Sequence, residues 1–486
     1  MIQSNYTAFL TPQLRVLSDD QVYEIHLATL ELLQRTGVDI YEEQARRILK
    51  DAGCLVRGQR VRFPSDLVGK CITSAPERIS IYNREGLPAM CLEGRKVYFG
   101  TGSDCPYILD PFTNVRRKTV NDDIAKSNRL ADYLENVDFA MSLGMASDYP
   151  VHLVDTVQFH TQLTNTRKPI VFVVQDTENL EYCMEMAAVV AGGTEELRLK
   201  PFIISYSEPT SPLSHPKESI ERLIMCAEKG IPLIYTPGAQ AGATAPATLA
   251  GALVCANAEI LSGLVIHQLI RPGAPFIHGG VVTIMDMKTA NYSLGGAPEW
   301  YLCNVALKEI SSFYKLPLFG TAGCTDAKIF DQQAAIEIGQ NILIAAMCGA
   351  NLVHDLGYME CGLCASWEQV VVANEIVGQV KRFMRGIRIE AETLALEVCD
   401  RVGPGGHFLG DEHTFKYFKE EHWAPSLFDR RYHSMWAAEG GLTLGEKAKQ
   451  KAEQILEEHI VPDLALNVRQ ELDRILLKAK SKWGEE

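Results

Sequence analysis

Eight short apolar runs recur along the middle of this chain, and that recurrence restricts the fold more than any other feature. The runs are Val97–Phe99, Phe139–Leu143, Ile170–Val174, Phe202–Ser205, Leu233–Tyr235, Phe276–His278, Leu318–Phe319 and Leu352–His354. Successive runs start about 30 to 45 residues apart, the length of one strand–helix unit with its loops. Five of them directly follow a proline (Pro169, Pro201, Pro232, Pro275, Pro317), which suits a strand entering from a loop. Continuous apolar strands alternating with helices imply a parallel sheet covered on both faces. Eight such units predict an α/β fold of the TIM (β/α)8 barrel class, with a doubly wound open sheet as the alternative.

A barrel occupies about 250 residues, and the chain has 486, so substantial additions are expected. Residues 1–95 read as a helical N-terminal cap, 96–385 as the barrel and 386–486 as a helical C-terminal extension. Ser18 and Gln21 have capping-box spacing, with Asp19 and Asp20 in the first turn, where the helix dipole favours negative charge. Val22, Ile25, Thr29, Leu32 and Leu33 follow at helical spacing, and Gly37 is the stop. Further helices are expected at Glu42–Ala52 and Ser65–Ile72.

Composition narrows the partners. With 47% hydrophobic and 22% charged residues, the chain can bury a large core. A net charge of −14 argues against nucleic acid and anionic membranes and suits small cations. The first residues lack a basic, apolar leader pattern. The apolar stretches at 249–266 and 342–353 are interrupted by Asn257, Glu259 and Asn351, so no membrane span is expected. Thirteen scattered cysteines read as reduced thiols, which points to the cytoplasm.

Small and polar residues cluster just after the apolar runs, at 100–107, 207–215, 236–246 and 320–328. In a barrel these loops lie on the C-terminal face, where chemistry is placed. No phosphate loop, zinc helix or dinucleotide fingerprint is present. His354 with Cys361 and Cys364 is one candidate zinc set; the opposing view is that these cysteines only pack a loop. His354 and Asp355 end the eighth run, Asp326 and Lys328 follow the seventh, and His278 ends the sixth. Tyr98, Tyr107, Tyr206, Tyr235, Tyr292, Trp300, Tyr358 and Trp367 gather near strand ends. Each alone is more often core, but as a set they offer rings to a quaternary ammonium, an ion that cannot donate a hydrogen bond. Glu208 and Glu360 would add negative charge beside such a cage.

Three phrases in order carry a resemblance. They are Phe99-Gly100-Thr101-Gly102-Ser103-Asp104 with Tyr107-Ile108-Leu109-Asp110-Pro111; Gly323-Cys324-Thr325-Asp326-Ala327-Lys328 with Asp331, Gln333 and Ala334; and Gly349-Ala350-Asn351-Leu352-Val353-His354 with Glu360-Cys361-Gly362-Leu363. Together they resemble the trimethylamine:corrinoid methyltransferase family along most of the chain. The resemblance implies a TIM-type barrel that presents a methylated amine to a separate corrinoid (cobalamin) protein, whose Co(I) accepts the methyl group. The founding enzymes carry pyrrolysine, whereas this sequence holds only the standard twenty residues. That departure resembles the branch acting on small quaternary amines such as glycine betaine, proline betaine or carnitine. A quaternary ammonium leaves as a neutral amine, so positioning and water exclusion are expected rather than a paired acid and base.

The expected substrate-binding residues are therefore Tyr98, Tyr206 and Trp300 as cage walls, Asp326 for the cation or its loop, and Lys328 or His354 for a carboxylate, with Glu360 beside the cage. The expected partners are the amine and a cognate corrinoid protein, and a homo-oligomer is expected. A zinc-dependent thiol methyltransferase and a non-catalytic betaine-binding or corrinoid-docking scaffold are the alternatives.

Overall fold

The computed structural model describes residues 11–482 except 112 and 114. Its centre is a parallel sheet of seven strands: β1 (Tyr98–Thr101), β2 (Ile170–Val173), β3 (Ile203–Ser207), β4 (Leu233–Tyr235), β5 (Phe276–Gly279), β6 (Leu318–Thr321) and β7 (Leu352–Leu356). The strand order is β1-β7-β6-β5-β4-β3-β2, and every pairing is parallel. The expected run at 139–143 forms no full strand. Instead Phe139 bridges to Gly100 of β1 and Ala140 bridges to Ile170 of β2, so this short piece links the two edge strands.

Alternation along the strands separates two apolar layers. Val171, Ile204, Ile234, Ile277, Phe319 and Leu352 point to one side and pack together with Phe139 and Met141. Ile170, Phe172, Ile203, Leu233, Phe276 and Leu318 face the covering helices. A hairpin, Ile79–Tyr82 with Pro88–Leu92, adds Ile79, Ile81, Met90 and Leu92 to the inner layer. It sits at the N-terminal ends of the strands: the Tyr82 amide donates to the Pro201 carbonyl, just before β3.

The loops after the strands carry two small sheets of their own. Gly238–Ala241 pairs in parallel with Val281–Asp286, which pairs antiparallel with Asn291–Tyr292. Tyr358–Met359, Cys364–Ala365, Tyr107–Leu109 and Arg116–Lys118 form the second, joining the loops after β7 and β1. These ribbons stiffen the C-terminal face of the main sheet.

The N-terminal region departs from the all-helical expectation. Helices Asp19–Arg35, Glu43–Asp51 and Ser65–Ser74 are present, the first with the Ser18–Gln21 capping box. Between them lie strands Val38–Ile40, Leu55–Arg57 and Arg60–Arg62, and the first pairs with Ser214–His215. Three-residue strands are too short to show a period of two, which is why periodicity missed them.

Helix Leu249–Ile270 has 22 residues and includes an 18-residue stretch of mean hydropathy 1.9, long and apolar enough to cross a membrane by length and composition alone despite Asn257 and Glu259. It is 78% buried within the chain, packed against the Asp19–Arg35 and Ser65–Ser74 helices. Its polar side chains are used internally: Asn257 Nδ2 donates to Thr29 and Tyr314, and Glu259 accepts from Ser211 and the Leu213 amide. At the other end, Leu444–Glu458 packs on Trp367–Met384, and Leu466–Lys482 packs on Thr177–Ala191.

Candidate active site

The parallel strands converge on a cavity of about 450 Å³ at their C-terminal ends, the position where loops of α/β folds place chemistry. Every strand but β6 supplies the wall from its last residues or the loop beyond. Ser103 and Asp104 follow β1, Val173 ends β2, and Tyr206 and Glu208 flank the end of β3. Gly238 and Gln240 follow β4, and Val281 and Thr283 follow β5. His354 and Asp355 belong to β7, with Tyr358, Cys361 and Gly362 in its loop. Tyr292 and Leu294 complete the wall.

Three tyrosines shape the space, and each phenol is held. Tyr206 donates to Glu208 Oε2 at 2.9 Å and packs edge-on against Phe319. The Tyr292 hydroxyl donates to the Cys361 carbonyl at 2.8 Å. Tyr358 donates to the Ser103 carbonyl and accepts from the Ser103 amide at 2.7 Å. That last clamp needs Gly102, because a Cβ there would lie 2.1 Å from the Tyr358 ring.

The wall is acidic. Asp104, Glu208 and Asp355 line the cavity, and among the described lining residues none is lysine or arginine. Burial pushes the Asp104 carboxyl up to about 6, against hydrogen bonds that favour the charged form and with Glu208 adding to the rise. Burial raises Glu208 as well. Behind the wall, burial pushes Asp155 up to about 7, while Arg222 opposes it. Arg222 itself is turned away, donating to the Gln175 carbonyl and the Ser207 hydroxyl.

His354 is 7% exposed and stacks on Phe319. Its Nδ1 lies 2.6 Å from Asp355 Oδ1, a close contact between neighbours whose angles do not form a hydrogen bond. Both ring nitrogens and Asp355 Oδ1 are therefore buried without hydrogen-bond partners. Asp355 has φ of 90°, a left-handed conformation that costs a non-glycine residue roughly 1–3 kcal/mol. It interrupts the register of β7 and turns the strand end toward the cavity rim.

The structure distributes the other expected residues differently. Asp326 binds the loop beside the cavity, accepting from the Ser293 hydroxyl, the Leu294 amide at 2.8 Å and the Gly296 amide at 3.3 Å. Lys328 and Glu360 line an adjoining cavity of about 530 Å³ that shares Tyr292 and Cys361 with the first. Lys328 donates to the Asp326 carbonyl, and Glu360 accepts from Arg116 at 2.8 Å. Tyr98 starts β1 at the opposite end of the sheet, its hydroxyl accepting from the Cys91 amide. Trp300 is fully buried in helix Pro298–Phe313 and lines neither cavity.

His278 is buried in the core and contacts Asn257. Cys361 Sγ lies 3.1 Å from Asp326, and burial holds its thiol up to about 12, so it stays protonated. Among the described residues no three His, Cys, Asp or Glu side chains are grouped to hold a metal ion. Asp104, Gln240 and Thr283 escaped the sequence reading as wall residues. Asp104 belongs to the first resemblance phrase and Gln240 to a polar strand-end segment, whereas Thr283 has only its position past an apolar run.

A covered parallel sheet with a polar cavity at its strand ends defines an α/β enzyme whose loops carry the chemistry. Comparison with known proteins places it further: the chain belongs to the trimethylamine methyltransferase (MTTB) family, which matches residues 3–484, and it is a methyltransferase. It is 32% identical to the trimethylamine methyltransferase MttB of Desulfitobacterium hafniense (strain DSM 10664 / DCB-2), over 96% of this chain and 94% of that protein. It is 33% identical to MttB2 of Methanosarcina mazei over 100% of both chains. It is 30% identical to the glycine betaine methyltransferase of Desulfitobacterium hafniense (strain Y51), over 98% of this chain and 99% of that one. The solved monomethylamine methyltransferase MtmB of Methanosarcina barkeri aligns with a TM-score of 0.49 and 12% identity, covering 95% of this chain and 100% of that one.

Proposed function

We propose that this protein takes a methyl group from a small quaternary amine and passes it to the Co(I) of a corrinoid carried on a separate protein. The scaffold in this reading is a closed (β/α)8 barrel, with the Phe139–Ala140 bridges joining its first and third strands. The observation that carries the reading is the cavity wall: three tyrosine rings and three carboxylates, with no lysine or arginine among its described residues. A quaternary ammonium offers no hydrogen-bond donor on nitrogen, so aromatic faces and carboxylates are what a protein uses to hold it. Each ring contributes about 0.5–2 kcal/mol, the upper end applying where water is excluded.

The corrinoid supplies a nucleophile that accepts the methyl group. This chain's residues bind, orient and dehydrate the amine. Tyr206, Tyr292 and Tyr358 fix its position, and their own hydrogen bonds keep them from turning away. The demethylated amine departs neutral, so no proton donor is needed at nitrogen. The cavity opens at the strand-end face, where a docked partner can approach a bound methyl group. All 13 cysteines are unpaired, which supports a reducing compartment such as the cytoplasm. Association of several copies is part of the same proposal. Residues 386–442 expose Ile387, Leu396, Leu409, Phe415 and Tyr432, surface that a second copy would cover.

The test is methyl transfer. Purified protein with chemically reduced cob(I)alamin and a panel of quaternary amines plus trimethylamine is followed by absorbance for methylcobalamin. The proposal expects turnover with a quaternary amine and none with trimethylamine. Silence across the panel, repeated with a corrinoid protein of the cognate type, overturns it.

A further inference from the structure

We infer that the amine held in this cavity is a net cation whose fourth substituent ends in a neutral hydroxyl, and that zwitterions with a carboxylate close to nitrogen are disfavoured. The inference rests on the methyl-transfer reading above and narrows it. Two observations carry it. Asp104, Glu208 and Asp355 all face one cavity of about 450 Å³, and no lysine or arginine lies among its described lining residues. A substrate carboxylate would enter beside three carboxyl groups with no lysine or arginine to meet it, and like-charge juxtaposition disfavours binding. Of the two candidate carboxylate holders, Lys328 sits in the neighbouring cavity, tied to the Asp326 carbonyl, and His354 lies in this one with Nδ1 2.6 Å from Asp355 Oδ1.

The second observation points to what the cavity does receive. His354 is more than nine-tenths buried, lines the space, and has both ring nitrogens without hydrogen-bond partners. Asp355, 1% exposed, has Oδ1 in the same condition. Buried polar atoms lacking partners are costly, and a ligand that satisfies them is bound the better for it. A hydroxyl can donate to either the imidazole or the carboxylate. A carboxylate can accept only from a ring N–H, while facing Asp355 beside it.

A division of labour follows from the two. The tyrosine rings meet the ammonium head, and the His354–Asp355 corner meets the arm. A hydroxyalkyl trimethylammonium ion uses both. Tetramethylammonium uses only the first, and glycine betaine is repelled at the second.

Calorimetric titration of the full chain with choline, glycine betaine and tetramethylammonium tests this, with methyl transfer to cob(I)alamin from each measured in parallel. Choline is expected to bind at least about tenfold more tightly than glycine betaine, since the difference is one like-charge placement. Glu208→Gln is expected to narrow that gap. His354→Phe is expected to lower choline to the affinity of tetramethylammonium, an effect that a purely structural histidine would not produce. Glycine betaine binding as tightly as choline overturns the inference and leaves methyl transfer standing. Absence of binding and of transfer for all three overturns both.

Discussion

The imidazole of His354 lies nearly flat on the ring of Phe319, with centroids 4.1 Å apart and planes 19° apart. Phe319 belongs to the apolar layer inside the sheet, so the stack joins that core to the cavity. The ring faces keep His354 in place while its nitrogens remain available. His354→Phe therefore preserves the stack and removes the polar atoms. Its melting temperature is expected to match the parent, while kcat/KM for methyl transfer falls about tenfold to a hundredfold, the worth of one or two buried hydrogen bonds. An unchanged kcat/KM would remove His354 from the site.

In the proposed reaction the carboxylates stabilise a positive charge that methyl transfer removes. Interactions that are stronger with bound substrate than in the transition state lower KM without raising kcat. Glu208→Gln keeps the acceptor for the Tyr206 hydroxyl. Its KM is expected to rise about tenfold with kcat equal or higher. Steady-state kinetics at saturating corrinoid reads both constants, and a fall in kcat with constant KM would contradict this account.

Asp155 gives a stability prediction. Burial raises its carboxyl to about 7, with Asp104 and Asp176 adding to the rise and Arg222 and the Gln175 amide opposing it. A raised acid keeps its proton longer in the folded than in the unfolded chain, so its contribution is full below about 4 and is lost as pH rises through about 7. Asp155→Asn keeps an oxygen for the Gln175 amide and removes the charge. Thermal melts are expected to show stabilisation by up to a few kcal/mol at pH 8, at roughly 1.4 kcal/mol per pK unit, shrinking to nothing by about pH 4. Equal melting temperatures at pH 8 would show that the acid is not strained there.

Asp326 and Trp300 separate loop anchoring from packing. Asp326→Ala frees the Ser293 hydroxyl and the Leu294 and Gly296 amides, and Leu294 forms part of the cavity wall. KM is expected to rise about tenfold through a loosened wall. Trp300→Phe leaves the wall intact and is expected to cost about 1–3 kcal/mol of stability with kcat/KM of the folded protein within about twofold. Chemical denaturation and kinetics on both variants check the pair; the reverse assignment would return Trp300 to the site.

The βα periodicity was legible because each strand is a short apolar run bounded by loop residues, and the seven strands of the sheet lie where the runs do. The piece at Phe139–Ala140 is the exception: it makes only two bridges, and apolar content cannot tell a bridge from a strand. The site was legible by position, since Tyr206 and His354 sit at strand ends and line the cavity. Tyr98 misled because it belongs to the same kind of run at its beginning, and direction along the strand decides which end of the sheet a residue meets. Trp300 misled because a helix residue near a loop is indistinguishable in sequence from a loop residue. Asp104 and Gln240 lie in the polar loop segments but were not singled out, because loop carboxylates and amides are common and only the fold brings them to one wall.

Gly238 offers the most direct test of where the amine binds. It lines the cavity, and a Cβ there would meet nothing within 4 Å. Gly238→Leu therefore places its Cβ in open space and adds bulk at the cavity wall. The measurement is methyl transfer to cob(I)alamin by the parent and by this variant, beside their circular dichroism and melting temperatures. The account predicts that transfer is lost while fold and stability are kept. Undiminished transfer from the folded variant would contradict it and place the methylated amine outside this cavity.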